Sequence, residues 1–133
     1  MIVTNPEREA IPMSTREVLV LAAALLREKG WTQGSSARNK GGWAVQSVSP
    51  DATCFCAIGA MFRVCRGHES FFEAVRELAR DVDQNAPHHD SKDGPLFTNA
   101  VIRWNDDQYQ SADGVVQAML ATAERLVAMG KNK

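Results

Sequence analysis

Cys56 is the residue best placed to do covalent chemistry, because it lies near the start of an apolar, helix-like stretch that runs from Cys54 to Cys65. A thiol in the first turn of a helix is near unpaired backbone amides, which lower its pKa and favour the reactive thiolate. His88 or His89 could act as the base, with Asn105 or Asp106 orienting it, which is a chain order used by cysteine hydrolases. Buried cysteines are also common core residues, so a packed core thiol is favoured over a catalytic Cys56 assisted by Asp106.

The polar run at residues 104–107, Trp-Asn-Asp-Asp, is the second candidate. Asn and Asp at a helix end usually cap or form turns, and that is the favoured interpretation here. The alternative is a site. If Trp104 packs beneath the segment that carries Cys56, then Asn105 and Asp106 would reach the start of that segment. They would meet Gln33 and Arg38 from the irregular stretch after the first helix, forming one polar pocket beside the thiol.

The spacing of the cysteines and histidines does not predict a metal site. Cys54 and Cys56 are two residues apart, which suits neither one face of a helix nor a zinc knuckle, and no second ligand pair follows at a matching spacing. The run at 88–90, His-His-Asp, could bind adventitious metal, but a solvated polar loop is the favoured interpretation. No metal and no cofactor are predicted.

The segment at 38–43, Arg-Asn-Lys-Gly-Gly-Trp, combines two cations, two glycines and an aromatic ring. This composition is compatible with cradling a phosphate or stacking a base, but it matches no phosphate-binding motif. Lys-Gly-Gly between mildly strand-forming residues is ordinary hairpin chemistry, so a turn is favoured. The formal net charge of −1 also gives no sign of a nucleic-acid-binding protein.

The segments that carry these residues have mostly helical periodicity in the sequence. Ser14 and Glu17 form a capping-box pattern ahead of an apolar helix that Gly30 ends. A short β hairpin is predicted between residues 32 and 48. The pattern then predicts a central helix from Cys54 to Cys65, apolar on both sides and covered on both faces by other helices. Three further amphipathic helices are expected, one starting near Ser70 with Phe72 buried and Glu77 exposed, one near Pro95 and one capped by Ser111.

The chain should therefore be one mainly α domain of about five helices over residues 13–133, preceded by a loosely ordered arm at 1–12. Its 133 residues can bury a core of ordinary size. No apolar run approaches the length of a membrane span, and there is no signal-peptide pattern. An odd number of cysteines within twelve residues indicates reduced thiols and a cytoplasmic protein.

Three short motifs occur in order: Gly-Trp-Thr-Gln-Gly at 30–34, Cys-Ala-Ile-Gly-Ala at 56–60 and Trp-Asn-Asp at 104–106. With them the chain resembles, from about residue 14 to 128, a family of small uncharacterised proteins of bacteria and their phages. The resemblance implies a cytosolic, mostly helical, single-domain protein with no assigned activity. It makes Trp31, Gln33, Trp104, Asn105 and Asp106 typical of the pattern, together with Cys56 and Gly59, and leaves the histidines outside it.

The favoured function is a small cytosolic binding or accessory protein, associated with phages or mobile elements, that acts through protein or small-ligand contacts and not through catalysis. Its working surface would be the irregular segment after the first helix together with the Asn105–Asp106 corner. The expected ligand- or partner-binding residues are Trp31, Gln33, Arg38, Trp104, Asn105 and Asp106. A cysteine-dependent hydrolase or transferase is the alternative, and a nucleic-acid-binding module is a weaker one. No membrane contact is expected, and a homodimer is compatible with the sequence.

Overall fold

A computed structural model describes residues 13–83 and 94–130, and the predicted mainly α fold is confirmed there. The described residues form five helices and a small three-stranded sheet, which contacts α1 and α2 through its strand β3. In chain order the elements are α1 (Thr15–Lys29), β1 (Ala37–Arg38), β2 (Ala44–Val45), β3 (Cys54–Phe55), α2 (Ala57–Cys65), α3 (Ser70–Val82), α4 (Gly94–Asn105) and α5 (Ala112–Ala128). The predicted arm at 1–12 and the histidines at 88 and 89 lie outside the described residues.

Helix α1 begins where the capping box predicts. The Glu17 amide donates to Ser14 Oγ over 3.1 Å, and the Ser14 amide donates to Glu17 Oε1 over 2.9 Å. At the other end Gly30 takes a φ of +129°, which favours glycine, and its amide donates to the Leu26 carbonyl oxygen. The buried face of α1 packs against α5 and α2. None of the helices in the described ranges is both long and apolar enough to cross a membrane.

The predicted hairpin is present, and its turn is built by Asn39. Strands β1 and β2 pair antiparallel, with Ala37 opposite Val45. The Asn39 side-chain oxygen accepts from the amides of Gly41 and Trp43, each over 3.0 Å. The segment at 38–43 is therefore a side-chain-supported β turn.

The prediction of one helix from Cys54 to Cys65 is wrong at its start. Cys54 and Phe55 form β3, which pairs antiparallel with β1 and gives the strand order β2-β1-β3. Helix α2 begins only at Ala57, with Cys56 in extended conformation as its N-cap. A short apolar run fits a strand and a helix equally well, and the pairing with β1, 16 residues earlier, decides between them.

Helix α2 does lie in the middle of the molecule, in contact with α1, α3 and α4. Met61 and Cys65 are fully buried. The expectation of full cover on both faces is wrong, however, because Phe62 keeps 37% of its surface exposed. Phe62 packs edge-on against Phe71 of α3, with 5.3 Å between ring centroids.

Two predictions for α3 are also wrong. Phe72 is 63% exposed, whereas Glu77 is 1% exposed. Glu77 is buried because Arg125 of α5 and Arg80 reach its carboxylate, at 2.9 and 3.2 Å. A buried carboxylate needs such partners, and one of them comes from a helix 48 residues away.

Candidate functional site

Asn105, the last residue of α4, joins three parts of the chain through its fully buried side chain. Its Oδ1 accepts from the Trp31 indole Nε1 over 2.8 Å and from the Ala57 amide over 2.9 Å. Its Nδ2 donates to the Thr32 carbonyl oxygen over 3.2 Å and to Asp106 Oδ1 over 2.9 Å. All four hydrogen bonds available to an amide side chain are made, so the group is satisfied without water.

Gln33 and Asp106 extend this network on either side of Asn105. Gln33 Nε2 donates to the carbonyl oxygens of Asn105 and Asp107, over 3.0 and 2.9 Å. Asp106 Oδ1 also accepts from the Gly34 amide over 3.1 Å. The loop after Gly30 is therefore attached to the end of α4 by side chains from both partners.

Gly59 explains how the same loop lies directly on α2. A Cβ atom at position 59 would collide with the backbone carbonyl of Ser36, so only glycine permits this approach. The Ser36 carbonyl oxygen accepts from the Cys56 amide over 3.1 Å. The loop at 34–36 is thus held on α2 by a steric fit and a backbone hydrogen bond.

Arg38 and Trp104 have different surroundings from the rest of the predicted set. The Arg38 guanidinium donates to Thr32 Oγ1 over 3.0 Å and to the carbonyl oxygens of Gln33 and Gly42, over 3.0 and 3.2 Å. It therefore braces the loop to the hairpin. Trp104 is half-buried against the core, and its carbonyl oxygen accepts from Gln110 Nε2.

Cys56 is buried, and its sulfur caps α2 by accepting from the Gly59 amide over 3.3 Å. Burial raises the pKa of the Cys56 thiol, and the negative charge of Asp106 acts in the same direction. Hydrogen bonds from the amides of Gly59 and Ile58 oppose the shift, but burial is the largest effect. The expectation of a lowered pKa at this helix end is therefore wrong, because the balance of these effects raises it.

A cavity of about 170 Å³ opens beside the sulfur. The loop at 34–36 forms one wall, Cys56 and Ile58 form the second, and Ile102 and Asp106 from the end of α4 form the third. No histidine is among the described residues that line it. Within residues 13–83 and 94–130 there is also no cluster of three or more His, Cys, Asp or Glu side chains suited to a metal ion.

The structure thus brings Trp31, Gln33, Asn105 and Asp106 into one network beside Cys56. Whether they bind or catalyse stays a prediction. Sequence reasoning did not find Ile58 and Ile102 as cavity residues, because nothing local distinguishes them from core residues of an amphipathic helix. It had named the segment at 34–36 only as part of a longer irregular stretch, and the glycine at 59 was the available signal for a close backbone approach.

The chain belongs to DUF6197, a family of unknown function whose model matches residues 10–125. No curated protein and no solved structure matches the chain.

Proposed function

Starting from membership of that family, we propose that this protein is a small binding or accessory protein and that the cavity beside Cys56 is its binding site. The occupant is a small ligand or a single side chain of a partner protein. The resemblance of the three motifs implies a bacterial, phage- or mobile-element-associated setting. Three free thiols agree with a reducing compartment such as the cytosol.

The observation that carries the proposal is the way the cavity walls are fixed. The side-chain amide of Asn105, which directly precedes Asp106 of the third wall, binds Trp31 and Thr32 just before the first wall and Ala57 within the second. A site whose walls are held before the ligand arrives spends little free energy on ordering when it binds. If this hydrogen-bond network served only to stabilise a turn, it would not need an open cavity beside it.

A cysteine-dependent enzyme is the rival, and one observation favours it: Cys56 lines the cavity. Against it, burial raises the pKa of the thiol, the negative charge of Asp106 acts in the same direction, and the described lining residues include no histidine. The Asn105 side chain has no hydrogen bond left with which to orient a histidine.

Alkylation by iodoacetamide as a function of pH separates the two functions. With the modified cysteine located by mass spectrometry, we expect Cys56 to react slowly at neutral pH and to accelerate only when urea unfolds the chain. Cys54, which is half-buried, is the internal control. Fast alkylation of Cys56 in the folded protein near about pH 6 would establish a thiolate and favour the enzyme.

A nucleic-acid module has less support in the structure. The Arg38 guanidinium already makes three hydrogen bonds within the protein, so it is committed to the loop and the hairpin. Lys40 is exposed, but one exposed lysine is little compared with the several phosphate contacts that nucleic-acid binding uses.

Binding is tested with a library of small fragments at millimolar concentration, observed by two-dimensional amide NMR. We expect the hits to shift the amides of residues 34–36, 56–58 and 102–106. Ile102→Ala, which removes part of one wall, should weaken them, whereas Leu96→Ala should not, because Leu96 is an exposed α4 residue outside the cavity. A library that leaves these amides unshifted, or shifts amides elsewhere only, would refute the proposed site.

A further inference from the structure

The charge of the cavity selects its occupant. Resting on the proposed function, we infer that the cavity binds a cation on a short aliphatic stem, an alkylammonium group such as a free amine or a lysine side chain. Three observations support this inference: most amides at the start of α2 already have acceptors, one lining carboxylate has an oxygen without a partner among the described residues, and two isoleucines supply aliphatic surface.

Three of the first four amides of α2 already have acceptors within the protein. The Ala57 amide donates to Asn105 Oδ1 over 2.9 Å, the Gly59 amide to Cys56 Sγ over 3.3 Å, and the Ala60 amide to the Cys56 carbonyl oxygen over 2.9 Å. Helix N-termini attract anions through unpaired amides, and here the protein's own atoms occupy three of the first four.

Asp106 carries the only formal charge among the described residues that line the cavity. Its Oδ1 accepts from the Gly34 amide and from Asn105 Nδ2, which fixes the orientation of the carboxylate. Its second oxygen has no partner within residues 13–83 and 94–130, and no described cation forms an ion pair with it. A carboxylate that is held in one orientation and has no cationic partner among the described residues attracts a cationic donor.

Ile58 and Ile102 supply the aliphatic surface between the carboxylate and the Cys56 sulfur. Ile102 is 38% exposed, so a methylene chain laid along it would remove apolar surface from water. The cavity volume, about 170 Å³, is below the roughly 300 Å³ at which pockets for drug-sized ligands begin. A four-carbon stem with a charged end suits this space, and lysine commonly buries its stem in this way.

The probes are n-butylammonium, butanoate and butan-1-ol, which share a four-carbon chain and differ in charge. Each is titrated against the full-length protein by amide NMR. We expect n-butylammonium alone to give saturable shifts at residues 34–36, 58 and 102–106, weakened by added salt. Asp106→Asn should lower its affinity by about fivefold or more, since hydrogen bonds to charged groups are the strong ones.

Asp106→Asn is a mild variant, because asparagine keeps an Oδ1 that can accept from Gly34 and Asn105. Its urea midpoint should stay within error of the unmodified protein, which shows that any loss of affinity is not a loss of fold. Asp107→Asn is the matched control: it removes the same charge from the next residue, whose Oδ1 accepts from the Tyr109 amide and which does not line the cavity. It should bind n-butylammonium normally.

The source of the amine is resolved by Nα-acetyl-lysine N-methylamide, which carries the same stem on a peptide backbone. Binding at least as tight as that of n-butylammonium would assign the cavity to a partner's lysine, and exclusion of the larger probe would assign it to a free amine. If butanoate or butan-1-ol gives equal amide shifts that Asp106→Asn does not change, the cavity is a binding site but is not selective for a cation. If no probe shifts the cavity amides, the inference of cation binding is refuted. The fragment library then tests separately whether the cavity is a binding site.

Discussion

Replacing Asn105 by alanine tests whether its side chain holds the three parts of the chain together. The substitution removes four hydrogen bonds and leaves the Ala57 amide, the Trp31 indole N–H and the Thr32 carbonyl without their partner. The fourth partner, Asp106, is exposed and keeps its bond from the Gly34 amide. The loss therefore falls on three groups.

The magnitude follows from their burial. Ala57 is fully buried, so its orphaned amide should cost about 1–3 kcal/mol. Trp31 and Thr32 are half-buried and regain part of their bonding from water, so each should cost about 0.5–1 kcal/mol. Together these give a free-energy loss of about 3 kcal/mol, a large fraction of the roughly 5–15 kcal/mol that stabilises a domain.

Urea unfolding followed by circular dichroism measures this loss. With a slope of about 1–3 kcal/mol per molar urea, the midpoint of Asn105→Ala should fall by about 2 M. Gln108→Ala is the matched control, since it truncates an amide side chain three residues away that is exposed and has no described partner; it should change stability by less than about 0.5 kcal/mol. If the urea midpoint of Asn105→Ala is no lower than that of Gln108→Ala, the Asn105 network does not fix the cavity walls.

Asn105→Asp adds a pH signature to the same test. The variant keeps an acceptor for Trp31 and Ala57 but turns an oxygen towards the Thr32 carbonyl and the Asp106 carboxylate. Burial and the neighbouring charge should raise the folded-state pKa of the new carboxyl above the unfolded value of about 3.9. A carboxyl whose pKa is higher in the folded than in the unfolded protein stabilises the folded state at pH values below the unfolded pKa. That stabilisation is lost as the pH rises through the folded pKa. The deficit relative to the unmodified protein should thus be larger at about pH 7 than at about pH 4, and an equal deficit at both would contradict the buried position.

Two further variants probe the packing around the site. Gly59→Ala should destabilise the protein by about 2 kcal/mol or more in urea unfolding, because the new Cβ meets the Ser36 backbone; Gly114→Ala, whose Cβ meets the movable end of a side chain, should cost much less. Equal effects of the two would contradict the close approach of the loop to α2. Glu77→Leu should lower the free energy of unfolding by about 1–2 kcal/mol, because the Arg125 guanidinium loses its buried partner but keeps its ion pair with Asp81 at 3.0 Å. Glu73→Leu, on the exposed face of α3, is the control and should leave the thermal midpoint within a few degrees of the unmodified value. A similarly small effect of Glu77→Leu would show that the free-energy cost of burying the Glu77 carboxylate equals the free energy gained from its ion pairs.

Sequence reasoning succeeded where the signal is local. The capping box at Ser14 needs only residues three apart, and both of its hydrogen bonds form. The Lys-Gly-Gly turn is likewise decided within the hairpin. Glu77 was placed outside because its neighbours along the helix are polar, and its partner Arg125 lies 48 residues later, where no helical periodicity can register it. Distant pairing overrides local pattern in the same way at Cys54, which joins a strand and not a helix.

Cys56, at the start of α2, was a plausible catalytic nucleophile in the sequence. Its surroundings in the structure do not favour that role. A cysteine at a helix N-cap suggests activation, because the reasoning assumes that the amides ahead of it are unpaired. Here Asn105 takes the first amide, and burial of Cys56 outweighs the hydrogen bond that its sulfur accepts from the third, so the pKa of the thiol is raised. Among the described residues that line the cavity, Asp106 carries the one formal charge. The arrangement therefore favours recognition of a positive group over nucleophilic attack, which connects the chemistry of the capping atoms to the proposed function.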